Sequence, residues 1–212
     1  MTCETLTGGP EGRSPHRHTG AYRGGVQSEE SPPGQLTEPD AVGIDSVESL
    51  HACVDGEVQA ITLRLGARIT CRRGCSDCCV DHLTVFGAEA DRIRRDAGDR
   101  LVGAEAHPAG ACAFLDSEGA CRIYEARPYV CRTQGMPLRW LDEADDGTVV
   151  EYRDICPLND HGDPIEEIAE SDCWTIGPAE MRLVRIQRAS DSEGNRRVDL
   201  RELFLELSNR TM

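Results

Sequence analysis

Apolar residues recur at helical spacing in the segment that begins at Asp45-Ser46. Seven of them follow one another at steps of three or four residues: Val47, Leu50, Val54, Val58, Ile61, Leu65 and Ile69. This is the period of one face of an α-helix. Asp45 followed three residues later by Glu48 resembles a capping box, which marks a helix start. The pattern predicts an amphipathic first helix.

Three later segments show the same period. A second helix is predicted from about Gly87 to Leu101, with three inward residues, Ala90, Ile93 and Ala97. Two closing helices are predicted, one from Pro178 to about Arg188 and one from Val198 to Leu207. In the last helix four apolar residues fall on one face: Leu200, Leu203, Phe204 and Leu207.

The segment from Cys112 to Arg132 has the pattern of a hairpin, a turn and a helix. Short apolar pairs flank Asp116-Ser117-Glu118-Gly119, whose residue types are typical of a turn. Pro128 stands where a helix could start. The predicted fold class is therefore mainly α, with small irregular and β-hairpin elements.

Residues 1–44 lack apolar periodicity and are rich in Gly and Pro, so we expect a disordered N-terminal tail. His16 and His18 lie in this segment and are interpreted as solvated histidines. The predicted domain covers residues 45–207, and residues 208–212 form a short C-terminal tail.

The charged residues of the chain exclude several classes of function. The 212 residues include 23 basic and 38 acidic side chains, for a net charge of −15. All the basic residues are arginines, and the absence of lysine excludes Schiff-base and P-loop chemistry. The acidity argues against nucleic-acid and anionic membrane partners. Since no apolar run approaches the ~18–20 residues of a membrane span, and no signal peptide is seen, we expect a cytoplasmic protein.

Much of the negative charge lies in residues 142–172, which contain twelve acidic residues and one base, Arg153. A solvated loop and helix face would explain this composition. An acidic surface that docks a basic protein partner would explain it too.

Cysteine is the unusual residue, with eleven in the chain. In a reducing compartment, dense thiols indicate metal binding or redox chemistry rather than disulfides. Soft thiolates select zinc, copper(I) or iron–sulfur centres over hard cations. Eight cysteines are the candidate metal ligands: Cys71, Cys75, Cys78, Cys79, Cys112, Cys121, Cys131 and Cys156. The sequence therefore predicts helices that frame a cysteine-rich metal site.

The adjacent pair Cys78 and Cys79 limits how these ligands can be shared. Neighbouring side chains of an extended backbone point to opposite sides, so the two thiols could serve different ions. Eight thiols suffice for two four-cysteine sites or for one site with spare thiols. Several arginines near the ligands in sequence would stabilise an anionic centre: Arg72, Arg73, Arg122, Arg127 and Arg132.

Other candidate ligands are weaker. His82 and His161 could complete a mixed site, although such a histidine is more often a surface residue. Cys173 could be a ninth ligand or a packed thiol. The spacing of the cysteines does not identify the metal. It could be zinc or iron, bound as single ions or as an iron–sulfur cluster.

These motifs resemble the YkgJ-type cysteine cluster proteins, described as a zinc- or iron-chelating domain family. The resemblance rests on four segments: Cys71-Arg-Arg-Gly-Cys75-Ser-Asp-Cys78-Cys79, Cys112-Ala-Phe-Leu, Cys121-Arg-Ile-Tyr-Glu-Ala-Arg-Pro-Tyr-Val-Cys131-Arg and Cys156-Pro-Leu-Asn. Two positions depart from the family pattern. The first cysteine gap is three residues where many members have two, and Ala113 replaces a common proline.

The resemblance implies metal chelation and leaves the biological role open. One alternative is a metal- or iron–sulfur-dependent enzyme, since flagellin lysine N-methylase carries a similar cysteine cluster in a longer chain. A second alternative is a redox- or metal-sensing interaction module, in which a labile centre reports oxidant or metal level.

Overall fold

Five α-helices and two small sheets make up the part of the chain that the structure, a computed structural model, describes: residues 46–191 and 193–210. The helices are α1 (Val47–Leu65), α2 (Gly87–Leu101), α3 (Tyr129–Thr133), α4 (Pro178–Arg188) and α5 (Leu200–Ser208). The strands are β1 (Thr84–Phe86), β2 (Leu138–Glu143), β3 (Val149–Asp154), β4 (Trp174–Thr175) and β5 (Arg197–Asp199). The fold is thus mixed, with helices predominating. The predicted tail 1–44, including His16 and His18, lies outside the described residues.

Helix α1 confirms the first predicted helix but differs from it at both ends. The side chain of Ser46 accepts a hydrogen bond from the Ser49 backbone N–H, so Ser46 caps the helix. Asp45, the first residue of the predicted capping box, lies outside the described residues. The helix stops at Leu65 because Gly66 adopts a φ of +54°, which a helix cannot continue through. Ile69 therefore lies beyond the helix.

Helices α2 and α5 pack together around the first hydrophobic core. The inward residues of α2 are confirmed, since Ala90, Ile93 and Ala97 are at most 2% exposed. The four apolar residues of α5 are buried on the facing side, and Phe204 meets Phe114 edge to face at 5.2 Å. Helix α5 begins at Leu200 rather than Val198, because residues 197–199 pair with β1 as strand β5.

Helices α1 and α4 enclose a second core. Leu50 and Val54 of α1 and Leu183 of α4 are buried there beside Trp174 of β4. The Trp174 indole donates a 2.8 Å hydrogen bond to the hydroxyl of Tyr129, so α3 is joined to this core. Helix α4 has the predicted bounds.

Residues 142–172 contain no α-helix, so the predicted helix face, which would have explained part of their acidity, is wrong. Strands β2 and β3 form an antiparallel hairpin, and β4 pairs with β2 in parallel. Trp140 and Tyr152 stack across the hairpin with 5.6 Å between their ring centroids. After the hairpin the segment continues through three short 3₁₀ turns. Cross-strand pairing of apolar and aromatic residues is the physical reason for a strand in this charge-rich sequence.

The hairpin predicted between residues 112 and 132 is reduced to one antiparallel bridge, without two regular strands. A single antiparallel bridge joins Leu115 to Cys121, and the Asp116 carboxylate caps the turn between them by accepting bonds from Glu118 and Ala120. Helix α3 follows Pro128, as predicted.

None of the helices in residues 46–191 and 193–210 is both long and apolar enough to cross a membrane.

Candidate metal centre

Two consecutive reverse turns shape the first cysteine loop. The Cys75 backbone N–H donates to the Arg72 carbonyl at 2.9 Å, and the Cys79 N–H donates to the Ser76 carbonyl at 2.8 Å. Gly74 closes the first turn with a φ of +82°, a conformation that favours glycine. These turns reverse the chain twice within nine residues, so the four cysteines of residues 71–79 lie close together.

A single cavity of about 740 Å³ adjoins this loop. Seven of the eight predicted ligands line it: Cys71, Cys75, Cys78, Cys79, Cys112, Cys121 and Cys131. The eighth, Cys156, is not part of the lining but lies close enough to Cys71 to act on the pKa of that thiol. The nine cysteines from Cys71 to Cys173 are all free thiols. The fold therefore gathers side chains that are far apart in sequence.

The thiols fall into two neighbourhoods. The first surrounds Cys71, whose pKa is raised by burial and further by nearby Cys75, Cys156 and Cys78. The second surrounds Cys131: burial raises its pKa to about 12, and the Cys112 and Cys121 thiols add to the rise, as does Cys78 from the first neighbourhood.

Asn159 anchors Cys71 in the first neighbourhood. The Asn159 side chain is completely buried and its amide nitrogen donates to the Cys71 sulfur at 3.4 Å and to the Gly135 carbonyl at 2.8 Å. Its amide oxygen accepts from the backbone N–H and the hydroxyl of Thr70 at 2.9 and 2.8 Å. The Asn159 N–H also donates to the Cys156 carbonyl. One side chain thus ties the Cys71 and Cys156 segments together.

Gly135 makes room for the Cys71 sulfur. A Cβ atom at this position would lie 2.5 Å from the Cys71 Sγ, far inside van der Waals contact. The φ of Gly135 is +92°, which also disfavours any other residue. The close approach of backbone and thiol therefore depends on glycine.

Backbone pairing positions the second neighbourhood. The Cys112 N–H donates to the Cys79 carbonyl at 2.9 Å, and the adjacent Val80 and Ala111 form an antiparallel bridge. Cys121 sits at the bridge to Leu115, whose N–H donates to the Cys112 carbonyl. Three cysteines from separate segments are thereby held side by side.

A clip from α5 holds the Cys79 and Cys112 segments together. Arg201 donates to both carboxylate oxygens of Asp81 at 2.8 and 2.9 Å and to the Ala111 carbonyl at 2.7 Å. Asp81 also accepts from the Gly110 N–H. The Arg201 guanidinium lowers the pKa of Asp81 to about 2, so the carboxylate is charged at neutral pH.

Cys131 lies on α3, which is held by a buried polar group. The Glu89 carboxylate of α2 accepts from the Tyr129 N–H at 2.6 Å and contacts the His51 Nε2 of α1 at 2.9 Å. Burial lowers the pKa of His51, while Glu89 acts in the opposite direction. Three helices therefore meet at this carboxylate, which fixes the start of α3 beside the cavity.

Cys78 and Cys79 stand where the two neighbourhoods meet. A hydrogen bond between the two side chains lowers the pKa of Cys78 to about 7 and raises the pKa of Cys79. Cys78 acts on the pKa of both Cys71 and Cys131, whereas Cys112 and Cys131 act on the pKa of Cys79. The adjacent thiols thus share Cys131 as a neighbour, and Cys78 also lies near Cys71.

All five arginines predicted to support the thiols line the cavity. Three of them are held by other protein groups. Arg132 contacts Asp55 and donates to the Arg127 and Glu125 carbonyls, and Arg127 stacks on the Tyr124 ring. Arg122 donates to the Glu105 carbonyl and lies over the Phe204 ring.

The three weaker candidates lie elsewhere. Cys173 is buried, and the charged groups that act on its pKa belong to Arg153, Arg139 and their neighbours. His82 is exposed outside the cavity lining, and His161 lines a separate surface pocket beside Arg64 and Arg68. The structure does not bring them to the predicted ligands.

The thiols gather without adopting a finished coordination geometry. In the described ranges, 46–191 and 193–210, no group of three or more His, Cys, Asp or Glu side chains is arranged to hold a metal ion. The donor set itself consists of free thiols, which suit zinc and iron. Binding would require the sulfurs of each neighbourhood to move closer together.

Sequence reasoning missed Asn159, Gly135 and the Asp81–Arg201 clip. Asn159 closes the motif Cys156-Pro-Leu-Asn, so its place in that motif was a usable signal. Gly135 and the clip act through residues distant in sequence, which no local pattern reveals.

Comparison with known families agrees with this picture. Residues 70–157 match the family model CxxCxxCC, described as a putative zinc- or iron-chelating domain. The match contains all eight predicted ligands together with α2 and α3, and it leaves α1, α4 and α5 outside. The predicted YkgJ-type resemblance is confirmed over this segment. Neither a curated protein nor a solved structure matched the chain.

Proposed function

From the match of residues 70–157 to the CxxCxxCC family model, we propose that this protein binds zinc or iron in two four-cysteine centres. The first centre takes its ligands from the first neighbourhood: Cys71, Cys75, Cys78 and Cys156. The second takes its ligands from the other: Cys79, Cys112, Cys121 and Cys131. The observation that carries this proposal is that separate contacts hold the two groups: the Cys112 N–H donates to the Cys79 carbonyl at 2.9 Å, while Asn159 ties Cys71 to the Cys156 segment. Cys78 acts on both Cys71 and Cys131 and is assigned to the first centre, because Cys79 is held to Cys112.

Four thiolates per ion are a common structural arrangement for zinc and for iron–sulfur clusters. One divalent ion and four thiolates sum to a net charge of about −2, so each centre is anionic. Metal binding has to displace protons from thiols such as Cys131, whose pKa is raised to about 12. The chain's residues therefore supply soft donors, and the metal supplies the cross-links.

The other predictions from sequence stay predictions. These are the methylase-like enzyme, the sensing module, the cytoplasmic location, the absence of nucleic-acid partners and the basic partner of residues 142–172. Part of the charge in that segment is paired within the protein: Arg139 contacts Glu151 and Glu170, and Arg64 contacts Asp172.

Anaerobic purification followed by elemental analysis and a visible spectrum tests metal binding. We expect two metal centres per chain. Iron with acid-labile sulfide and a brown colour identifies a cluster, while a colourless protein with zinc identifies single ions. A folded protein that carries no metal after this purification would contradict the proposal.

Serine substitution tests the assignment to two centres. We expect Cys78→Ser and Cys79→Ser each to lose about half of the metal, because each removes a ligand from a different centre. Cys173→Ser is the matched control, since that thiol is buried away from the cavity, and it should keep the full content. Unchanged metal in both single variants, or complete loss in both, would refute the two-centre arrangement.

A further inference from the structure

The cavity beside the cysteines is larger than metal ions require. An ion held by four thiolates needs no more room than a water molecule, whose share of liquid volume is about 30 Å³. The cavity measures about 740 Å³, which falls within the range of roughly 300–1,000 Å³ typical of small-molecule pockets. Single zinc or iron ions would therefore fill only a small part of this space.

The wall of the cavity suits an apolar molecule. Besides the thiols, it contains aliphatic and aromatic side chains from several elements, among them Val58, Ile69, Leu83, Phe114 and Met136. Apolar walls with a few polar groups are the usual composition of ligand sites, because burial supplies affinity and the polar groups fix orientation.

Arg72 and Arg73 supply such polar groups. Both side chains are exposed and line the cavity, and neither makes a hydrogen bond or ion pair with a residue in the described ranges. This is unexpected in a chain with a net charge of −15, where carboxylates outnumber arginines. A guanidinium offers paired donors that match carboxylate and phosphate oxygens.

We propose that this cavity binds a small amphiphilic anion, with its apolar body among the aliphatic side chains and its carboxylate or phosphate head on Arg72 and Arg73. The site goes beyond metal binding and uses side chains other than the eight predicted ligands. It adds a small-molecule partner to a domain that otherwise offers only metal ligands.

The probe for this site is 1-anilinonaphthalene-8-sulfonate, an apolar anion whose fluorescence rises on burial. Its uncharged analogue, N-phenyl-1-naphthylamine, reports the apolar wall alone. With the metal-loaded full chain we expect one anion site per molecule. Arg72→Gln/Arg73→Gln should weaken binding of the anion about tenfold or more, the effect of losing hydrogen bonds to a charged group, and should leave the neutral analogue unchanged.

A matched double variant controls for net charge. Arg95→Gln/Arg100→Gln removes the same two positive charges from exposed positions on α2, outside the cavity lining, so it should bind the anion like the unsubstituted protein. Displacement by octanoate and by monooctyl phosphate, which share one apolar tail, shows which head group the arginines prefer.

Equal anion affinity in the Arg72/Arg73 variant and the unsubstituted protein would overturn the proposal. So would several weak sites per chain, or equal weakening in the Arg95/Arg100 control. Metal content, measured on the same samples, distinguishes a failure of the anion site from a failure of the metal proposal. A protein that holds its metal but fails to bind the probe contradicts the anion site alone, whereas a metal-free protein contradicts the metal proposal.

Discussion

Asn159 is the residue whose removal should affect the first neighbourhood most. Its side chain is completely buried, and its amide group joins Thr70, Gly135 and Cys71 through four hydrogen bonds. In Asn159→Ala all four are lost. In Asn159→Asp the oxygens can still accept from Thr70, but nothing donates to Gly135 or to the Cys71 sulfur.

The magnitude follows from the groups that lose their partners. The Thr70 hydroxyl keeps a second acceptor, the Leu158 carbonyl at 3.3 Å, so it is not orphaned. The Thr70 N–H and the Gly135 carbonyl lose the Asn159 partner, and each buried group left unsatisfied costs about 1–3 kcal/mol. Thr70 is only half-buried, so its N–H belongs at the low end of that range, and we therefore expect Asn159→Ala to lower the free energy of unfolding by about 2–4 kcal/mol.

Substitution of Asn159 should also lower the metal affinity of the first centre, separately from its effect on stability. A donor to a metal-bound ligand orients it and stabilises its charge, and its loss commonly costs about tenfold to a hundredfold in affinity. Asn159→Asp should show this loss most clearly, because it places a carboxylate where the amide donated to Cys71. The effect should appear in only half of the bound metal, since Cys79 and its neighbours do not contact Asn159.

Denaturant unfolding monitored by circular dichroism measures the first effect, and competition with a chromophoric chelator measures the second. Asn195→Ala is the matched control: the same substitution at an exposed residue, expected to stay within about 0.5 kcal/mol of the unsubstituted protein. Two results would refute the reasoning. One is an Asn159→Ala variant as stable as the control, and the other is unchanged metal affinity in Asn159→Asp.

Three other predictions concern separate contacts. Gly135→Ala should reduce metal content by about half in elemental analysis, because the new Cβ would lie 2.5 Å from the Cys71 sulfur; full content would show that the loop relaxes at little cost. Glu206→Gln should lower the free energy of unfolding at pH 7 by about 0.5 kcal/mol, the value of an exposed ion pair. Arg94 lowers the pKa of Glu206 below 4.5, so this contribution is present above pH 4.5 and is lost as the pH falls through the lowered pKa; a difference from the unsubstituted protein that persists at pH 2 would contradict it. Cys173 should resist alkylation in the folded chain, since it is 6% exposed, and mass spectrometry showing modification as fast as at Cys71 would disprove this.

The sequence was sufficient for the helices because their apolar period is long and regular. Helix α2 has the predicted bounds and inward face, and all four predicted apolar residues of α5 are buried. The ends of the helices were harder to predict, because they depend on contacts with other elements. Helix α5 starts two residues later than predicted, since Arg197–Asp199 pairs with β1. The hairpin of β2 and β3 was missed because its alternation is short and interrupted by acidic residues.

For the site, the sequence could supply the residue types but not the neighbourhoods. Thiol chemistry and close spacing single out the cysteines, and seven of the eight line one cavity. Spacing could not show that Cys156 lies near Cys71, or that Cys79 lies beside Cys112, because long-range contacts make both arrangements. Asn159 stands in the motif Cys156-Pro-Leu-Asn, but its role went unnoticed because the contact of its amide with Cys71 joins residues distant in sequence.

The turn from Ser76 to Cys79 has a consequence for how the protein fills with metal. Its two terminal cysteines share one peptide unit, so an ion held by Cys78 also restrains the backbone that carries Cys79. The first ion to bind meets most of the entropic cost of ordering the loop, and the second finds its ligand already in place. In two four-cysteine centres this coupling makes the binding curve steeper than that of independent sites, so half-filled molecules would be scarce at every metal concentration.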